Sequence, residues 1–147
     1  MKHTVLSVDD DPASQDMLER AFRKCEIPSP IKAFSGEEGL ALLNDEKYSP
    51  IKLILLDLNL PTMSGFDFLA ALRRSPHQLL PVIVFSTSTN SNDIVKSYSL
   101  GANAYICKPP GYIELIEIMK KVSELFLSCI QLPDIGLEPP AKFKPDS

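Results

Sequence analysis

Four aspartates, a serine and a lysine stand at places in this sequence where buried strands should end. Asp57 closes the apolar run Ile51, Leu53, Ile54, Leu55, Leu56, and Asp9, Asp10 and Asp11 close a shorter run from Thr4 to Val8. Ser86 follows Pro81 to Phe85, at the head of the run Ser86-Thr87-Ser88-Thr89, and Lys108 follows Ala104 to Cys107. An unpaired carboxylate is costly to bury, so acids at such junctions belong at the rim of a sheet. Clustered carboxylates repel one another and need a shared cation. Oxygen donors without His or Cys suit a hard cation, and Mg²⁺ is the expected one. A carboxylate can also act as a nucleophile towards a phosphoryl group, giving an acyl phosphate. Catalysis of that transfer is mostly positioning and charge neutralisation. Magnesium and Lys108 would offset the growing negative charge, and the Ser86 hydroxyl would bond a phosphoryl oxygen. Taken alone, Asp57 reads more readily as a turn or helix cap than as a chemical group.

The elements that must place these groups alternate along the chain. The run ending at Asp57 lacks polar alternation, as a strand buried on both faces of a parallel sheet should, and Pro61 and Gly65 then force a turn. Pro12 suits the first turn of a helix capped by Asp11, with Met17, Leu18, Ala21, Phe22 and Cys25 on its inner face. Ile31 to Phe34 is a short second strand, after which Ser35 or Gly36 opens a helix carrying Leu40 and Leu43. Phe68, Leu69 and Leu72 mark the helix after the third strand, and Ser75-Pro76 stops it. A fourth helix is expected from Asn92 to Leu100, closed by Gly101 as a left-handed cap. A fifth runs from Tyr112 to Cys129, with Leu115, Ile116, Met119, Val122, Phe126 and Cys129 on one face. Ile118 and Leu125 widen that face, which leaves a broad core face and a partner surface as alternatives. Residues 1–130 form the expected domain, and the Pro-rich residues 131–147 an expected mobile tail.

Five strands alternating with five helices imply a three-layer α/β fold, a doubly wound, five-stranded parallel sheet with helices on both faces. All carboxyl ends of such a sheet lie on one side, so Asp9, Asp10, Asp57, Ser86 and Lys108 should converge there. Strand order does not follow from the sequence.

Composition narrows the classes of function. At 147 residues the chain has room for one ordinary domain and for no second catalytic or DNA-binding module. A hydrophobic content of 44% is that of a globular protein, and no apolar run approaches a membrane span. The amino terminus lacks the apolar core of a signal peptide, so a cytoplasmic address is expected. Fifteen basic and nineteen acidic residues give a net charge of −4, without the basic stripe that direct nucleic-acid binding requires. Cys25, Cys107 and Cys129 sit among apolar neighbours and suit reduced core thiols. His3 and His77 are too isolated for a metal cluster or a catalytic triad and are assigned to the surface.

These motifs together resemble the receiver domain of two-component response regulators, over about His3 to Cys129. VDDDP resembles the family's acidic pair, Asp9 and Asp10. LLDLNLPTMSG resembles its phosphoacceptor loop and places the acceptor at Asp57. VIVFSTS carries the switch hydroxyl Ser86, and ANAYICKPP carries the switch aromatic Tyr105 and the phosphate-binding Lys108. The resemblance implies a flavodoxin-like (βα)5 fold. It also implies a histidine kinase or phosphotransfer protein as phosphoryl donor. Mg²⁺ would be held by Asp10, Asp57 and the main-chain carbonyl of Asn59, with Asp9 helping through water. Phosphorylation would draw Ser86 towards the phosphate and let Tyr105 turn inward, reshaping a surface that a downstream protein reads. The chain would then be no enzyme acting on other molecules, but a phosphoacceptor that catalyses its own phosphorylation and dephosphorylation. With no output domain expected, the match is to a single-domain regulator. The Ser-Thr-Ser-Thr run and SYSLGANAYICKP resemble the small receivers associated with phytochrome-like kinases, in which the carboxy-terminal extension and last helix support a possible homodimer.

Two other readings compete. A phosphatase of the haloacid dehalogenase type also forms an aspartyl phosphate on an α/β sheet, but it places a second Asp two residues on as general acid, where this chain has Asn59. A pseudo-receiver would be an interaction module that never takes phosphate, and the full set Asp9, Asp10, Asp57, Ser86 and Lys108 argues against it.

Overall fold

Apolar residues that follow one another without a polar break along the inner strands divide between two faces of a sheet. The computed structural model describes residues 4–48 and 50–133. Strands β1 (Val5–Val8), β2 (Ile31–Ala33), β3 (Leu53–Leu56), β4 (Val82–Ser86) and β5 (Ala104–Cys107) form one parallel sheet in the order β2-β1-β3-β4-β5. Helices α1 (Pro12–Lys24), α2 (Gly36–Leu43), α3 (Gly65–Arg73), α4 (Ser91–Ser99) and α5 (Tyr112–Val122) make the crossovers and the last layer. This is the expected doubly wound fold, and its strand order is the flavodoxin-like one.

Side chains alternate across a strand, and the core follows that period. Leu6, Val8, Ile54, Leu56, Val82 and Val84 face α3 through Phe68, Leu69 and Leu72. Val5, Leu53, Leu55, Ile83 and Phe85 face the other way, towards Leu18, Ala21 and Phe22 of α1 and Leu115, Met119 and Val122 of α5. Each side chain so buried contributes about 1.5–3 kcal/mol, which is why the strands carry no polar alternation.

Local chemistry sets the helix ends. Asp11 caps α1 by accepting from the Ala13 amide, with Pro12 at the first helical position. Ser64 and Asp67 form a reciprocal capping box at the start of α3. Gly101 follows α4 with φ +104°, the left-handed conformation expected of it. At the edge of the sheet opposite the strand ends, the half-buried Arg73 guanidinium donates to the carbonyls of Gln78, Leu80 and Gly101.

Several expectations are corrected. Met17 is 42% exposed, and its place on the inner face of α1 is taken by Gln15, in helical register with Leu18 and Phe22. The last helix is not α-helical to Cys129: from Ser123 to Cys129 the backbone is a π-helix. Its wider i→i+5 turn takes later residues off the α-helical face, so Phe126 is half-buried and Cys129 exposed. Ile118 packs partly into the core, whereas Leu125 is 50% exposed. Cys107 is exposed and Cys25 half-buried, so the three thiols are not core thiols. Burial pushes the Cys25 thiol up from its ordinary pKa. His77 is half-buried, 3.0 Å from Asn44 Oδ1, and burial lowers its pKa. His3 and residues 134–147 of the expected tail lie outside the described residues. Among the described residues no helix is long and apolar enough to cross a membrane.

Candidate functional site

From β1 the chain crosses to β2 on one side and then returns to β3 on the other, so a crevice opens between the carboxyl ends of β1 and β3. Asp9 and Asp57 are the residues that leave those ends. Their parity along the strands puts both on the α1 and α5 side, in phase with Val5 and with Leu53 and Leu55. Lys108, one step beyond β5, is in phase with Ala104 and Ile106 on that same side.

The three meet. Lys108 Nζ donates to Asp9 Oδ2 at 2.7 Å and to Asp57 Oδ2 at 3.2 Å, with all three side chains largely buried. The second oxygen of each acid accepts from its own loop: Asp9 Oδ1 from the Asp11 amide at 3.0 Å, Asp57 Oδ1 from the Asn59 amide at 3.3 Å. Asp10 is exposed, yet one carboxylate oxygen from each of Asp9, Asp10 and Asp57 lies within 4.8 Å of the others. This all-oxygen, strongly acidic donor set fits a hard divalent cation.

Electrostatics match the crowding. Burial raises the Asp57 pKa above the ordinary carboxylate value; Lys108 pulls it down, Asp9 pushes it up, and the net direction is upward. Burial pulls the Lys108 ammonium down, but its bonds and charge pairing with Asp9 and Asp57 win and raise it.

Backbone packing fixes the acceptor loop. A Cβ on Gly65 would stand 2.5 Å from the Asp57 carbonyl oxygen and 2.6 Å from Leu58 Cα, so only glycine lets α3 begin this close to the loop. The Gly65 amide donates to the Leu58 carbonyl at 2.9 Å. The role of Gly65 is therefore close approach; the left-handed residue of the turn is Thr62, at φ 64°. A β-branched residue held there stores backbone strain.

Ser86 and Tyr105 belong to the other face. Ser86 is in phase with Val82 and Val84 and fully buried, and Tyr105 packs partly against the same cluster. Ser88 joins them: its amide donates to Ser86 Oγ at 3.3 Å, and its carbonyl accepts from the Tyr105 hydroxyl at 2.8 Å. Ser88 Oγ donates to Asp93 Oδ2 of α4 at 2.7 Å. The structure thus brings Asp9, Asp57 and Lys108 into contact, sets Asp10 beside them and ties in Asn59 by its amide. Ser86 and Tyr105 form a second group centred on Ser88. Ser88 stands out in the sequence only as a member of the Ser86-Thr87-Ser88-Thr89 run and, with Asn59, as a residue flanking the expected path of attacking water; its bonds to Ser86, Tyr105 and Asp93 appear only in the structure. Gln15 is detectable as a polar residue at an inner-face position of α1.

An apolar cleft lined by Met17, Leu18, Phe85, Pro109 and Leu115 opens onto Asp57 and Lys108.

The family model described as response regulator receiver domain matches residues 5–120. Response regulator Rcp1 of Synechocystis sp. is 30% identical over 135 residues, covering 88% of this chain and 92% of Rcp1. The crystal structure of the phosphorylated cyanobacterial phytochrome response regulator RcpA matches with a TM-score of 0.80 at 34% identity, covering 91% of this chain and 100% of RcpA. The Mn²⁺-bound form of Rcp1 matches at 0.77 and 30% identity, covering 90% and 99%.

Proposed function

We infer, because this chain belongs to the response regulator receiver domain family, that it accepts a phosphoryl group on Asp57 from a histidine kinase or phosphotransfer protein and thereby switches a surface read by a downstream protein. The observation that carries this reading is the Lys108 ammonium shared by Asp9 and Asp57 beside Asp10. The cation it calls for is Mg²⁺, which Asp10, Asp57 and the Asn59 carbonyl would hold with Asp9 in support; the Mn²⁺-bound form of Rcp1 accords with this. When bound, the cation neutralises charge on the phosphoryl oxygens.

The chain's own groups do the rest. An Asp57 carboxylate oxygen forms the new O–P bond as the donor's P–N bond breaks and the imidazole leaves with the electron pair. Lys108, already against Asp57, stays paired with the growing charge. The apolar side of the cleft beside Asp57 offers the imidazole a wall to pack against. Ser86 Oγ accepts from the Ser88 amide and keeps its own proton to donate to a phosphoryl oxygen. Because Ser88 also holds Tyr105 and Asp93, a shift of Ser86 reaches β5 and α4 through one residue. Water attack on the acyl phosphate returns the carboxylate and inorganic phosphate. The same reading assigns a cytoplasmic address.

Hydroxylamine distinguishes this from phosphorylation at a hydroxyl. It should strip the phosphate from phosphorylated protein and leave a hydroxamate at Asp57; label that survives hydroxylamine would reject the assignment.

A further inference from the structure

Gln15 is 1% exposed on the inner face of α1, where the rest of the helix buries apolar side chains. Its Nε2 lies 3.1 Å from each of three carbonyl oxygens, those of Ser7, Asp9 and Ala33. Ser7 lies within β1, Asp9 just past its end and Ala33 at the end of β2, and the Ala33 carbonyl also accepts from the Asp9 amide. Its Oε1 is, among the described residues, the one buried side-chain polar atom without a hydrogen-bond partner. Leaving such an atom unpaired is unfavourable, so the amide is not there for its own solvation. What distinguishes the site is that three carbonyls converge on the donor end of the amide.

The Asp9 carbonyl belongs to the peptide that carries Asp10. The Asp9 side chain is already fixed by Lys108 and the Asp11 amide, whereas Asp10 projects into solvent. A bond to that carbonyl from inside the molecule therefore fixes the peptide plane from which Asp10 departs. The Asp9 amide donates to the Ala33 carbonyl at 3.0 Å, so Gln15 also shares an acceptor with the first residue of the acidic pair.

We propose that Gln15 is a positioning residue for the divalent-cation site, its carboxamide holding the Asp9–Asp10 peptide so that Asp10 faces Asp57. The proposal rests on the reading of Asp9, Asp10 and Asp57 as a cation site. Groups that orient metal ligands from behind typically alter affinity 10- to 100-fold when removed.

The test is Mn²⁺ binding to the full chain, followed by the loss of the free-ion EPR signal, with thermal unfolding of the metal-free protein measured in parallel. Gln15→Met keeps the length and removes the donors; it should weaken Mn²⁺ binding about tenfold at a temperature where both proteins are folded. The deficit in phosphoryl uptake from acetyl phosphate should vanish at saturating metal, which a general loss of structure would not allow. Wild-type binding with an affinity in Gln15→Met within about twofold of it overturns the role of Gln15 alone, whatever the change in stability. Absence of Mn²⁺ binding by the wild type, or full binding by Asp10→Asn, overturns the cation site and the role of Gln15 with it. Should Gln15→Met fail to fold, the wild-type Gln15 side-chain amide resonances decide: they should titrate with Mg²⁺ at the same apparent affinity as the Asp10 amide, and resonances that do not move refute the proposal.

Discussion

Lys108 stands 51 positions beyond Asp57 in the chain and 3.2 Å from it in space, with Asp9 on its other side at 2.7 Å. Two buried carboxylates are tolerable there because one ammonium serves both. Lys108→Met should therefore destabilise the metal-free protein by about 3 kcal/mol in urea unfolding, since it leaves both charges unpaired. The folded Lys108 pKa is raised, so its contribution is complete below the ordinary lysine value and is lost as pH rises through the folded value. Variant and wild type should accordingly converge only at strongly alkaline pH. Phosphoryl uptake should fall by about 100-fold or more.

Asp57→Asn should act in the opposite direction. Asp9 continues to pair Lys108, and the substitution removes a carboxylate whose burial raises its pKa. The folded protein holds the Asp57 proton more tightly than the unfolded chain does. The destabilisation is thus full above the folded pKa and shrinks as pH falls towards the ordinary carboxylate value. The metal-free variant should melt higher than wild type at neutral pH, by roughly 3–5 °C, and the gap should close on acidification. A lower melting temperature at neutral pH would contradict this account of the pair.

Gly65→Ala should be severe for so small a change. The added methyl meets only backbone, at the Asp57 carbonyl and Leu58 Cα, so the loop or the start of α3 must move. Expected are a loss of about 2 kcal/mol or more in urea unfolding and weaker Mn²⁺ binding.

Tyr105→Phe removes the bond to the Ser88 carbonyl and should cost about 1 kcal/mol. It should raise hydrogen exchange at the amides of Ser88 and Asn90 while leaving phosphoryl uptake within about twofold of wild type, because Tyr105 stands apart from the ionic group. A proportional fall in uptake would place Tyr105 in the chemistry.

Much of this was legible from the chain because parallel strands leave two strong marks, unbroken apolar runs and polar residues at their ends. Asp9, Asp57 and Lys108 follow from those marks and from the rule that all carboxyl ends share a side. The division of the site by strand parity, with Asp57 and Lys108 on the α1 and α5 face and Ser86 and Tyr105 on the other, required the register that pairs Ser86 with Cys107 and Val84 with Tyr105. The strand order was hidden because each run is apolar on both faces and so names no neighbour. Helical periodicity misled where the backbone departed from it: Cys129 lies beyond the change to a π-helix. Met17 reads as a core residue because it is apolar, yet it is exposed, and the polar Gln15 holds the buried position. Gly65 reads from the sequence as a turn former, whereas the structure requires it because of the backbone packed against it.

The most direct test of the central claim is the intact mass of the protein after incubation with acetyl phosphate and Mg²⁺, for wild type and Asp57→Asn side by side. The wild type should gain the mass of one phosphoryl group, dependent on the metal, and Asp57→Asn should gain nothing. No gain in the wild type, or an equal gain in both proteins, would contradict the assignment of Asp57 as the acceptor.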